Sequence, residues 1–216
     1  MKFTDSLWEE NTPIFDKIIA HPFIQELKDG SLKTDQFTFY IYQDSLYLHQ
    51  FSKALAVTGT KTQEADSLLA FLGFAQNAIL VERALHDTYF KEYAINRTDG
   101  MSPTAFSYTQ YLLATANYSS YAISVAALLP CFWIYQRVGN YIVGESAGNN
   151  PYQSWIDTYS GEEFAQAVTR MLGLCENLGQ QASPEERKEM QVAFTRACQL
   201  EYMFWDSAYK MEKWPV

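Results

Sequence analysis

The stretch Thr34-Asp35-Gln36-Phe37-Thr38-Phe39-Tyr40-Ile41-Tyr42-Gln43-Asp44-Ser45-Leu46-Tyr47-Leu48-His49-Gln50-Phe51-Ser52-Lys53-Ala54-Leu55-Ala56 decides the fold class. Within it Phe37, Tyr40, Ile41, Tyr47, Leu48, Phe51 and Leu55 form one stripe of threes and fours, with Asp44 on the same line. Each helical residue turns about 100° around the axis, so this spacing lines one face, whereas a half-buried strand would alternate apolar and polar residues. The stretch predicts a long helix over residues 34–56, with Gly59 just beyond as its terminator.

Outward from that helix the same period recurs and strand alternation is absent. Further helices are predicted over residues 5–20, 62–93, 103–118, 121–143, 152–158, 163–178 and 184–211. Ser183-Pro184-Glu185-Glu186 and Ser102-Pro103 supply helix starts, the serine hydroxyl accepting an otherwise unpaired amide and proline tolerating the first helical position. The breaks at His21-Pro22, Asp29-Gly30, Asp99-Gly100, Gly144 to Pro151 and Gly179 to Pro184 are too short to be domain linkers. Residues 1–216 are therefore read as a single all-α domain, a helical bundle.

Composition narrows the function classes. Lys and Arg number 16 against 25 Asp and Glu, a net charge of −9 without a basic patch, which argues against nucleic-acid binding. Hydrophobic residues at 48% with 19% charged residues mark a chain that folds. The amino terminus has no apolar segment followed by small residues, so no secretory signal is expected. The longest apolar run, residues 122–135, is interrupted by Ser124 and Pro130 and is shorter than the roughly 18 residues a membrane span needs. Cys131, Cys175 and Cys198 are odd in number and widely spaced, fitting neither a disulfide framework nor a zinc site; a reducing cytoplasm is the expected compartment.

Polar residues on apolar faces are the candidates for chemistry. Asp44 lies among aromatics, four residues after Tyr40 and three before Tyr47, and either meets a ligand or pairs with an arginine from a neighbouring helix. In Leu128-Leu129-Pro130-Cys131-Phe132-Trp133-Ile134-Tyr135 the proline is expected to bend the helix beside Cys131, with Tyr135 one turn on along the same face. That thiol is either a nucleophile or an inert core residue. Glu201 faces Ala197, Phe204 and Trp205; buried there it is a neutral general acid, and at the surface it would pair with Arg196 or Lys210. Tyr108, Tyr111, Tyr121, Tyr135 and Tyr159 offer flat faces with a hydroxyl at the tip, suited to a planar heteroaromatic ligand or simply to a core.

Seven ordered blocks make a resemblance specific: His21-Pro22-Phe23, Asp29-Gly30-Ser31-Leu32, Tyr40-Ile41-Tyr42-Gln43-Asp44, Ser102-Pro103-Thr104 with Tyr108, the run from Ala127 to Tyr135, Asn150-Pro151-Tyr152 with Trp155-Ile156, and Glu201-Tyr202-Met203-Phe204-Trp205-Asp206. The chain resembles the TenA family, the thiaminase II proteins, in its cysteine-bearing branch. The resemblance implies a haem-oxygenase-like fold, a homotetramer, and hydrolysis of aminopyrimidines or thiamin in thiamin salvage without metal or organic cofactor. It implies Cys131 as nucleophile, Glu201 as proton donor, and Asp44 as the carboxylate holding the ring's amidine-like edge. It places Tyr47 and Tyr108 near the thiol, with the Tyr47 hydroxyl favouring the thiolate. Tyr135 and Tyr159 are then at the substrate and Phe204 in an aromatic wall. Phe132 departs from the tyrosine often found after the cysteine.

Two other classes compete. A metal-dependent oxidase would draw on Glu82, His86 and His49, but the Glu-x-x-His spacing of di-iron bundles is missing and the chain has only three histidines. A non-catalytic aminopyrimidine-binding protein would have less reason to keep the thiol and both carboxylates. The pyrimidine half of a substrate is specified by these residues; the leaving group is not.

Overall fold

The structure, a computed structural model, describes residues 2–145 and 150–216, with all their side chains except those of Glu82, Leu85, His86 and Glu145. Among the described residues it holds nine helices and no strand: α1 (Phe3–Ile19), α2 (Pro22–Asp29), α3 (Thr34–Gly59), α4 (Ala65–Glu92), α5 (Pro103–Tyr118), α6 (Tyr121–Glu145), α7 (Gln153–Ser160), α8 (Glu162–Gln181) and α9 (Pro184–Lys210). The all-α bundle is as the periodicity predicts.

Two local readings need correction. The breaks at His21-Pro22 and Asp29-Gly30 bracket a helix, α2, that periodicity over eight residues was too short to reveal. His21 Nδ1 accepts the Phe23 N–H at 3.1 Å, Pro22 occupies the first helical position, and Gly30 closes the helix at φ 72°. Gly59 does not terminate α3 but belongs to it. A Cβ there would come within 2.7 Å of the Phe71 Cβ, so the glycine serves close approach of α3 and α4. Of the predicted break between Gly144 and Pro151, Gly144 falls inside α6 and residues 146–149 lie outside the described residues.

Two helices organise the core. α3 packs against α4, α5 and α9, while α6 packs against α7, α8 and α9. α6 continues through Pro130 and is the one described helix long and apolar enough to cross a membrane; 83% of its apolar window is buried inside the fold, which accounts for its composition. At the periphery the Glu176 carboxylate on α8 accepts the Phe3 and Thr4 N–H groups at 3.1 and 2.8 Å and the Thr4 hydroxyl at 2.9 Å, tying down the start of α1. Partial burial opposes its ionisation, yet these hydrogen bonds and one from Gln180 bring its pKa down to about 2.

Candidate active site

Five helices bring the predicted residues to one place. α3 contributes Asp44 and Tyr47, α5 Tyr108, α6 Cys131 and Tyr135, α7 Tyr159, and α9 Glu201 and Phe204. A cavity of about 520 Å³ has Asp44, Cys131, Tyr135 and Tyr159 in its wall. Tyr47, Tyr108, Glu201 and Phe204 are buried and are not part of that wall. Tyr111 and Tyr121 belong elsewhere: Tyr111 donates to the Ala193 carbonyl at 3.2 Å and Tyr121 packs on Phe71.

Several of the sequence blocks hold these helices in position without touching the cavity. Gln43, next to Asp44, donates to the Gly100 carbonyl at 3.0 Å and accepts the Ser102 N–H at 2.8 Å. The Ser102 hydroxyl accepts the Ala105 N–H at 3.2 Å, so the loop that launches α5, and with it Tyr108, is tied to α3. The Asn150 amide donates to the Leu27 and Lys28 carbonyls at 2.8 and 3.1 Å and accepts the Tyr152 N–H at 2.8 Å, joining the end of α2 to the approach to α7. At Gly139 on α6 a Cβ would meet the Tyr159 carbonyl carbon at 2.8 Å, so only glycine lets α7 bring Tyr159 this close.

Burial sets the electrostatics. Glu201 is 1% exposed, and desolvation raises its pKa to about 8, opposed by the Tyr108 hydroxyl, which donates to Oε1 at 2.7 Å. The surface pairing considered for Glu201 does not occur: Lys210 instead donates to Asp206 at 2.7 Å. Desolvation also pushes the Cys131 thiol well above its ordinary value, the Glu201 carboxylate adds to this, and the Tyr47 hydroxyl opposes it. Tyr47 Oη is buried with no hydrogen-bond partner among the described residues, close enough to Cys131 for the two groups to influence each other's ionisation. Burial outweighs the opposing effect of Tyr47, and near neutral pH Cys131 and Glu201 are a thiol and a carboxylic acid.

Aromatic rings complete the surroundings. Tyr135 packs on Tyr159 with ring centroids 4.8 Å apart, and Tyr47 meets Tyr108 and Phe204 at 5.0 and 5.5 Å. Sequence reasoning did not single out Trp155 and Tyr40 as supports. Trp155 Nε1 donates to Tyr40 Oη at 3.1 Å, Tyr40 reaches Tyr135 Oη at 3.5 Å, and the Tyr40 ring stacks on Trp205 at 5.1 Å. Tyr40 had a visible signal, since it shares the stripe of Asp44; Trp155 and Trp205 read as ordinary core. Of the metal candidates, His49 is exposed, and the Glu82 and His86 side chains lie outside the described residues. Among the described residues no group of three or more His, Cys, Asp or Glu is arranged to hold a metal.

Comparison with known proteins matches this architecture. The profile described as the TENA/THI-4/PQQC family matches residues 8–211. A Bacillus subtilis (strain 168) protein named aminopyrimidine aminohydrolase is 32% identical over 218 residues, covering 99% of this chain and 92% of its own length. The thiamine biosynthesis multifunctional protein ThiED of Corynebacterium efficiens is 33% identical over 95% of this chain, which spans only 28% of that larger protein. Among solved structures, a TenA homologue from P. horikoshii OT3 superposes with a TM-score of 0.87 at 27% identity, covering 97% of this chain and 99% of its own. A Shewanella denitrificans domain described as having a heme oxygenase-like fold superposes at 0.69 with 16% identity over 96% of this chain and 92% of its own, and speaks to the fold alone.

Proposed function

We propose that this chain, which belongs to the TENA/THI-4/PQQC family, hydrolyses 4-amino-5-aminomethyl-2-methylpyrimidine to the 5-hydroxymethyl compound, cleaves thiamin at the same bond, and serves thiamin salvage. The observation that carries the reading is the pairing of a cavity-wall thiol, Cys131, with a buried carboxylic acid, Glu201, whose pKa of about 8 keeps its proton near neutral pH. A neutral acid beside a nucleophile suits addition to an aromatic ring, because protonating the ring nitrogen as sulfur adds avoids a build-up of negative charge in a dry site.

In this mechanism Cys131 Sγ bonds to the ring carbon beside a ring nitrogen, and Glu201 protonates that nitrogen. The thiol proton replaces the one Glu201 gives up, and the Tyr108 hydroxyl, which donates to Glu201 at 2.7 Å, is the group through which it would return. With aromaticity lost, the ring's electrons expel the amine or thiazole from the methylene carbon. Water adds to that carbon as hydroxide, its other proton going to the released ammonia or, when the thiazole leaves, to solvent. The ring nitrogen then returns its proton to Glu201 while the proton Glu201 held passes back to the departing sulfur, which restores the ring, the thiol and the acid. Asp44 supplies a charged acceptor for the exocyclic amine, while Tyr135 and Tyr159 flank the ring and Phe204 backs the wall.

The test is product formation by the purified protein, supplied separately with the aminomethylpyrimidine and with thiamin, beside Cys131→Ser. Hydroxymethylpyrimidine appearing with the unaltered protein and falling by orders of magnitude in the variant is the expected result; full activity of the serine variant would remove the covalent step. The same reading carries a homotetramer in the cytoplasm, which sedimentation of the purified protein and cell fractionation test.

A further inference from the structure

The cavity is larger than a single pyrimidine ring requires, and the part of its wall that the pyrimidine residues leave over has its own chemistry. Phe132, adjacent to Cys131, lies at the centre of four phenylalanines drawn from four helices. Its ring centroid is 5.8 Å from Phe51 on α3, 5.2 Å from Phe74 on α4 and 6.4 Å from Phe164 on α8, the last nearly parallel at 11°. All four rings line the cavity. Phe164 also meets Tyr159 edge-on at 5.2 Å, so the aromatic wall runs without interruption from the pyrimidine side into this compartment. In its outer wall stand three exposed carboxylates, Asp157 midway along α7 and Glu162 and Glu163 in the first turn of α8, and no Lys or Arg is among the described lining residues.

Resting on the function proposed above, the geometry points to a leaving-group compartment formed by Phe51, Phe74, Phe132 and Phe164 that takes a flat heteroaromatic cation, as in intact thiamin, and rejects a phosphorylated one. Aromatic faces attract a cation through their quadrupole, most strongly where water is excluded. Carboxylates at the rim add to that attraction and repel a phosphate at the same distance. Phe132 strengthens the first effect, since a phenyl ring beside the nucleophile presents no hydroxyl to be satisfied. A small ammonium leaving group fills little of this compartment and gains little from its rings, so the compartment separates the two substrates that the pyrimidine residues treat alike.

The experiment measures kcat/KM for thiamin, thiamin monophosphate and 4-amino-5-aminomethyl-2-methylpyrimidine with the full chain, with Phe164→Leu, and with Asp157→Asn/Glu162→Gln/Glu163→Gln. Loss of the Phe164 ring is expected to lower the ratio of thiamin to aminomethylpyrimidine by about tenfold. Removing the three charges is expected to lower the preference for thiamin over its monophosphate by about fivefold, and added salt to do the same to the unaltered protein, because exposed charges are screened. Should Phe164→Leu fold poorly, the salt series on the unaltered protein and the surface charge variant carry the decision. Turnover of the aminomethylpyrimidine with both ratios unmoved, or with thiamin not cleaved, overturns the compartment and leaves the aminohydrolase reading standing. Silence on all three substrates overturns that reading, and the compartment with it.

Discussion

Glu201 is kept uncharged by its surroundings, and that has opposite effects on chemistry and stability. Its folded pKa of about 8 lies above the unfolded value near 4.5, so the folded state holds the proton more tightly. Its favourable contribution is therefore complete below about pH 4.5 and is lost as pH rises toward 8. Glu201→Gln, which keeps the acceptor for Tyr108 without the ionisable group, is expected to match the unaltered protein near pH 4.5. At pH 8.5 it should melt about 2 to 4 °C higher or more, read by calorimetry at both values. Its turnover should fall by about 10² to 10⁴-fold, the usual contribution of a positioned acid. For the same reason kcat/KM of the unaltered protein should decline above about pH 8, where the acid form disappears; a rate flat to pH 10 would take Glu201 out of the donor role.

At the scale of helices, the site depends on contacts that carry no chemistry. Gly139→Ala puts a methyl group against the Tyr159 backbone, at contacts of 2.8 and 2.9 Å, and must move α7 away from α6. Such overpacking costs about 1 to 3 kcal/mol, and because Tyr159 moves with α7, KM should rise more than kcat falls in steady-state kinetics. Asn150→Ala takes the amide from the Leu27 and Lys28 carbonyls and from the Tyr152 N–H, the Leu27 carbonyl keeping the Gly30 N–H at 3.2 Å. That loss costs about 1 to 3 kcal/mol, and a melting point lowered by several degrees would show it. The long helices were legible because a stripe repeated over many turns is a strong signal, as from Phe37 to Leu55. α2 was not, since eight residues give barely two turns and its limits are set by His21 and Gly30, which read as loop residues. Within the site, Asp44, Cys131 and Glu201 stood out as polar groups on apolar faces. The phenylalanines around Phe132 did not, because nothing in a sequence separates a ring that lines a cavity from one that fills a core.

Across the whole molecule, acid sensitivity and site assembly are separate matters. The Glu176 anchor is held at about 2 against an ordinary value of 4.5, so its contribution is present above about pH 4.5 and lost as pH falls toward 2. Glu176→Gln is expected to flatten the acid limb of the stability profile over that window in denaturant titrations, with no effect at the cavity, whose wall does not include Glu176. The site itself is assembled from distant parts of the chain, with Asp44 on α3 and Glu201 and Phe204 on α9. During synthesis, then, the helix bearing Cys131 leaves the ribosome well before α9, the helix that packs along it and brings Glu201. Until α9 docks, the sulfur lacks the enclosure that holds its proton in the finished protein, and it behaves as an ordinary accessible cysteine open to oxidants. Newborn chains should therefore be most vulnerable to peroxide in the interval before α9 docks, and, with Cys131 as the proposed nucleophile, protein made under oxidative stress should carry an inactive fraction that no later reduction of surface thiols restores.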